Sequence, residues 1–180
     1  MFLSRRLLAV VSALTLVTAS AGSTLADGAR HASATFVDAS GVQIGLARLT
    51  EDSTGRVHVS VHVQGLAPGL HGIHIHAVGS CSPTFAAAGG HYNPLGDQHG
   101  LDNPEGPHAG DLPNLAVNEA GIGQLDATTD RVTLSPGVAT LFDATGSAFI
   151  IHANPDDQVT NVGNGGSGPR IACAVIVAGR

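Results

Sequence analysis

"RVHVSVHVQGL", Arg56 to Leu66, alternates valine with histidine, serine and glutamine over Val57 to Gln64. Successive side chains of a strand point to opposite faces, so Val57, Val59, Val61 and Val63 share one face, and His58, Ser60 and His62 the other. Turn residues bound the stretch: Ser53-Thr54-Gly55 before it, Ala67-Pro68-Gly69 after it. The same rhythm extends outward. "ASATFVDAS" and "GVQIGLARLT", split by Ser40-Gly41, come before; "GLHGIHIHAV", "GDLPNLAVNEA", "GIGQLDAT", "RVTLSPG" and "IACAVIVAG" come after. Short β-branched runs at roughly ten-residue spacing, punctuated by turns, predict an antiparallel sandwich or barrel. No helical period persists over a useful window, and no fixed-length repeat is present.

The chain has 180 residues, enough for one domain with a full core. Its start reads as a removable export signal, residues 1–26. Arg5 and Arg6 form a positive head, Leu7 to Ala19 is an apolar run shorter than the roughly 20 residues of a membrane span, and small residues allow cleavage after Ala21 or Ala26. Residues 27–180 are then the mature domain. Without Arg5 and Arg6, six arginines face 14 acidic residues, a formal charge of −8, and there is no lysine. Such a chain, without tryptophan and with one tyrosine, is a poor partner for nucleic acid. Cys81 and Cys173 suit one disulfide in an oxidising compartment; two buried thiols are the alternative.

Two segments break the strand rhythm: Ser80 to Gly110, with six glycines and four prolines, and the glycine-rich Asn154 to Pro169. Long structureless connections in a compact domain are usually functional. Both carry or adjoin candidate ligands. In "LHGIHIHAVGSC", His74 and His76 lie at i and i+2, on one strand face. His-x-His alone says little, as "HVSVH" shows: His58 and His62 share a face with nothing site-like around them, and they read as surface residues, as does His31. The loop after Cys81 adds His91, His99, His108 and Asp111, and "AFIIHAN" adds His152. Imidazoles with one carboxylate suit zinc or copper, whereas calcium and magnesium prefer oxygen cages.

"GIHIHAVG", "GGHYNPLGDQHG", "PHAGDLPNL", "FIIHANPDD" and "GPRIACAVI" together resemble, in order and spacing, the motifs of the copper/zinc superoxide dismutases. The resemblance runs from about Ser33 to Gly179. It implies an all-β, eight-stranded Greek-key barrel with two long functional loops, and one copper and one zinc ion per chain. It implies copper ligands His74, His76, His91 and His152, and zinc ligands His91, His99, His108 and Asp111, with His91 bridging the two ions. Arg170 matches the arginine that orients superoxide. Asp156 matches a carboxylate joining a copper histidine to a zinc histidine, and Cys81 and Cys173 match the family's disulfide. His71 matches a structural histidine. The implied reaction is disproportionation of superoxide to oxygen and hydrogen peroxide, protecting exported or envelope components. A homodimer is compatible with this reading, though no dimer face is legible.

The sequence departs from familiar members at residues 153–169, where Asp156 and Asp157 are the charged residues and lysine, arginine and glutamate are absent. Steering of an anion must then rest on the metals and Arg170. A copper-delivery domain of the same fold, a copper-only relative and an adhesion sandwich with incidental histidines are the competing readings. The complete ligand set and the arginine weigh against all three.

Overall fold

The structure, a computed structural model, describes residues 30–162 and 164–179. The expected signal segment lies outside the described residues. Among them no helix is long and apolar enough to cross a membrane.

Among the described residues nine strands form one antiparallel sheet: β1 (His31–Asp38), β2 (Gln43–Glu51), β3 (Val57–Gln64), β4 (Gly69–His71), β5 (Ile73–His76), β6 (Leu115–Val117), β7 (Ile122–Thr129), β8 (Ala148–His152) and β9 (Arg170–Ala178). Their spatial order is β4-β6-β7-β3-β2-β1-β9-β8-β5. The two ends of that order, β4 and β5, are consecutive in the chain and separated by Gly72 alone. They are one strand that changes partner: His71 pairs with Leu115 of β6, Ile73 with Ile151 of β8. Counted as one, they make eight strands around a barrel that closes through the covalent chain. Strands β1 to β3 run as a meander. Strand β3 then lies against β7, not β4, and β9 lies between β1 and β8, so the connections are of Greek-key type.

β3 follows its alternation residue by residue. Val57, Val59, Val61 and Val63 are buried, and His58 and His62 are exposed. They join Phe36, Leu49, Ile73, Ile75, Leu115, Leu134 and Ile151 in one core, with the Phe36 and Phe149 rings 5.9 Å apart. One expected strand is absent. "RVTLSPG", residues 131–137, has Val132 and Leu134 buried as alternation predicts, yet its pairing is reduced to an isolated bridge, Thr133 with Thr140. The side chain of Glu51 supplies what a neighbouring strand would have supplied, accepting the Leu134 and Ser135 amides at 2.9 and 2.6 Å.

Every residue of β5 and β8 is buried. Ile73 and Ile75 face the core. His74 and His76 face outward, and residues 77–111, 153–162 and 164–169 cover them. The first of these loops zips onto the free edge of β5: Ile75 donates to Gly110 O, and Tyr92 and Ala77 donate to Ile75 O and Gly90 O, at 2.8–2.9 Å. Gly110 comes so close that a Cβ there would collide with the Ile75 carbonyl oxygen, so no larger residue fits.

Candidate metal centre

The covered face of β5 makes a buried, polar chamber. His74 and His76 come from β5, His152 from the end of β8, and His91, His99, His108 and Asp111 from the loop zipped along the β5 edge. A disulfide joins Cys81 at the root of that loop to Cys173 of β9, with Cα atoms 5.8 Å apart. The loop is thereby fixed at its root as well as along β5.

Hydrogen bonds decide which nitrogen of each ring is free. His76 Nδ1 donates to Gly89 O and His152 Nδ1 to Gly168 O, each at 2.9 Å. His74 Nε2 donates to Asp156 Oδ2 at 2.6 Å. The other nitrogens, His74 Nδ1, His76 Nε2 and His152 Nε2, together with His91 Nε2, are buried with no hydrogen-bond partner. Ligand atoms of these four residues lie within 4.8 Å of one another. Four unpartnered nitrogens converging in a buried space are unfavourable for a protein alone. They suit one ion: with bonds of about 2 Å, opposed donors in a tetragonal copper site stand roughly 4 Å apart.

A second set surrounds Asp111 Oδ1. His91 Nδ1 and His99 Nδ1 lie 2.9 and 3.0 Å from it, His108 Nδ1 lies 3.5 Å from it, and the His91 and His108 Nδ1 atoms are 3.3 Å apart. Tetrahedral zinc with bonds of about 2.0–2.1 Å places its ligand atoms roughly 3.3 Å apart. The separations straddle that edge length. His74 also comes within 4.8 Å of His91, His99 and Asp111, because the two sets share a wall. Its bond to Asp156 nevertheless leaves Nδ1, its free nitrogen, among the first set. His91 belongs to both sets, one ring nitrogen to each.

Asp156 spans them from behind, with Oδ2 on His74 Nε2 and Oδ1 3.1 Å from His99 Nε2. Its main chain is gripped by the side chain of Asn114, which donates to Asp156 O and accepts from Asp156 N, both at 2.8 Å. Gly165 packs so tightly on the Asp156 carboxylate that a Cβ would overlap Oδ1.

The electrostatics separate the two sets. Burial pulls His74 down to about 3, His76 to about 2 and His152 to about 4, so these rings are neutral at ordinary pH. Burial lowers His91 as well. His99 goes the other way: burial opposes its charge, but the Asp111 and Asp156 carboxylates outweigh burial and raise it to about 9. Asp111 is likewise held below the usual carboxylate range, its burial outweighed by hydrogen bonds from His108, His91 and His99.

Arg170 opens β9 beside this chamber. It donates to Phe85 O and Gly89 O, both at 2.6 Å, and Gly89 O also receives His76. Its charge acts on His76 and His152. A cavity of about 570 Å³ reaches Arg170, between Val37, Asp38, Ala39 and Gly41 on one side and Cys81 and Pro83–Ala86 on the other. No histidine lines it, so the candidate chemistry is in the buried cluster and not in this cavity.

Every residue singled out from the sequence as a ligand is thus in the cluster. His31, His58 and His62 are exposed and outside it, and His58 Nε2 sits on Asp52 at 2.9 Å. His71 is buried with its ring nitrogens against the carbonyl oxygens of His152 and Ala67, tying β4 to β8. Asn114 and the carbonyls of Phe85, Gly89 and Gly168 were not legible. A carbonyl carries no side-chain signal, and Asn114 reads as an ordinary turn residue.

Residues 43–176 match the family described as copper/zinc superoxide dismutase (SODC). The chain belongs to the copper/zinc superoxide dismutase family. It is 43% identical over 148 residues to Superoxide dismutase [Cu-Zn] 2 of Aquifex aeolicus, covering 81% of this chain and 85% of that one. Identity to the superoxide dismutase-like protein YojM of Bacillus subtilis is 39% over 145 residues, 79% of this chain and 74% of the relative. A crystal structure of a double mutant of a SOD-like protein from Bacillus subtilis superposes with a TM-score of 0.76 at 38% identity, covering 85% of this chain and 99% of that one. The all-β barrel and the disulfide therefore stand as expected from the sequence. Family membership gives the reaction class: this is a superoxide dismutase, an oxidoreductase that disproportionates superoxide. The family's metals are copper and zinc, and both histidine clusters offer donor sets that could hold them.

Proposed function

We propose that His74, His76, His91 and His152 hold one copper ion, that His91, His99, His108 and Asp111 hold one zinc ion, and that His91 bridges them. The observation that carries this reading is the set of four partnerless buried nitrogens facing one point, beside three ring nitrogens gathered around a single carboxylate oxygen. Copper held there would supply the one-electron chemistry, and zinc, without a redox change, would supply charge and position alone.

The chain's own residues do the rest. Two superoxide anions and two protons become one oxygen and one hydrogen peroxide. Arg170, held by two carbonyls at the chamber edge, orients the anion with an always-charged guanidinium. His91 holds a proton at Nε2 in one half of the cycle and delivers it to the departing peroxide in the other. Its Nδ1, kept among Asp111 and His99, holds the ring in place throughout. Asp156 fixes the orientation of His74 and His99 together, so the two donor sets keep one geometry.

Residues 1–26 are read as an export signal and residues 27–180 as the enzyme, acting in a periplasm, at an envelope or in the medium. The charge order at the start of the chain supports this, and a disulfide is at home in an oxidising compartment. Metal analysis of the purified chain tests the site. One copper and one zinc per chain is the expected result, and Arg170→Ala should keep both metals while losing most of the superoxide-consuming rate. Zinc alone would point to a binding domain, and absence of both metals would overturn the reading.

A further inference from the structure

The connection between β7 and β8, residues 130–147, touches the metal-bearing loop at two points. Tyr92, next to His91, donates its phenol O–H to Thr140 O at 2.7 Å. Arg131 donates from Nη2 to the backbone carbonyl of Asp111 at 2.9 Å. Asp111 is then held on every side but one. Its Oδ2 accepts the Gly100 and His108 amides at 2.9 and 3.0 Å, and its own amide meets His108 O at 3.2 Å. Its Oδ1 is left facing His91, His99 and His108.

Arg131 is not an ordinary surface arginine. Its guanidinium is partly buried, and Nε is enclosed without a hydrogen-bond partner. A cation drawn out of water in this way is costly unless other groups compensate it. The compensating groups are the Asp111 carbonyl together with the charges of Asp111 and neighbouring Asp130. Arg131 itself is anchored at its root, its amide meeting Thr129 Oγ1 at 3.1 Å where β7 ends.

We propose that Arg131 is a positioning residue for the zinc set: by gripping the Asp111 carbonyl from the β7–β8 connection, it fixes the direction of the Asp111 carboxylate and sets how fast a bound zinc escapes. The proposal rests on the reading that His91, His99, His108 and Asp111 hold zinc. Orienting partners of metal ligands typically change metal affinity by 10–100-fold.

The test uses the full chain carrying one copper and one zinc, with zinc release to an excess of a chromogenic chelator followed in time. Arg131→Met keeps the length and apolar stem but removes the donors; Arg131→Lys keeps a charged donor. Arg131→Met should release zinc about ten-fold faster or more, and Arg131→Lys should recover most of the difference. The thermal midpoint should drop more in the metal-loaded Arg131→Met protein than in its metal-free form. Zinc release within about two-fold of the unmodified chain overturns the proposal. Equal drops of the two midpoints also overturn it, because they would mark a general packing role. If the unmodified chain takes up no zinc, the underlying site reading fails instead. Should Arg131→Met not fold, Arg131→Gln is judged by the same criteria.

Discussion

Single histidines here have distinct duties that their sequence spacing does not reveal. His74 and His76 are two residues apart on one strand face, yet they present different nitrogens. A carboxylate takes Nε2 of the first, and a carbonyl takes Nδ1 of the second. The ligand candidates were legible because motif and spacing resemble a known family. So was the Asp156 link between a copper and a zinc histidine; the tautomers of His76 and His152 were not, since they depend on the carbonyls of Gly89 and Gly168, which carry no side-chain signal. His99 gives a test at this scale. Raised to about 9, it is protonated at pH 7.5 in the metal-free protein, whereas His74, His76 and His152 are neutral. Zinc needs a neutral ring, so zinc uptake at pH 7.5 should release about one proton more than copper uptake, measurable with an indicator in weak buffer. Equal release for the two metals would contradict this. The sign for stability follows: the His99 charge stabilises the metal-free fold fully below its ordinary 6.5, and that contribution fades as pH rises through about 9.

Among the elements, β3 was the most legible, because a valine at every second position leaves one register that buries them all. The segment 131–137 shows the limit of the same reasoning. Its alternation places Val132 and Leu134 in the core, but a strand also needs a partner ladder, and that depends on residues far away in sequence. Here Glu51 takes the place of the ladder, freeing this stretch to carry Arg131 toward Asp111. The break at Gly72 was hidden for a related reason. "GLHGIHIH" reads as one strand, and only the barrel reveals that its halves pair with different neighbours. If 131–137 is core despite its irregular backbone, Leu134→Ala should cost about 2–5 kcal/mol in denaturant unfolding of the metal-free protein. A loss below about 1 kcal/mol would show that the segment merely rests on the surface.

The described residues combine a nearly closed barrel with a chamber built on its outer wall. Two loops cover that chamber, pinned by the disulfide, the β5 edge and the side chains of Asn114 and Asp156. Rhythm alone left sandwich and barrel open, and the family resemblance pointed to the barrel; that its two edges belong to one strand was not legible. Net charge bears on the approach of substrate. The full chain carries −6 and residues 153–169 contain no lysine or arginine, so little on the surface draws an anion toward Arg170. Steered association slows steeply as salt is added. The superoxide-consuming rate of this chain should instead change only shallowly between low and physiological salt, and a steep rise at low salt would contradict that. One imidazole, His91, turns a ring nitrogen to each donor set. The superoxide-consumption rate of the copper- and zinc-loaded chain, beside that of His91→Ala at matched copper content, tests whether both sets depend on it. His91→Ala should lose most of the rate, together with a changed copper spectrum. Full activity in His91→Ala would contradict it.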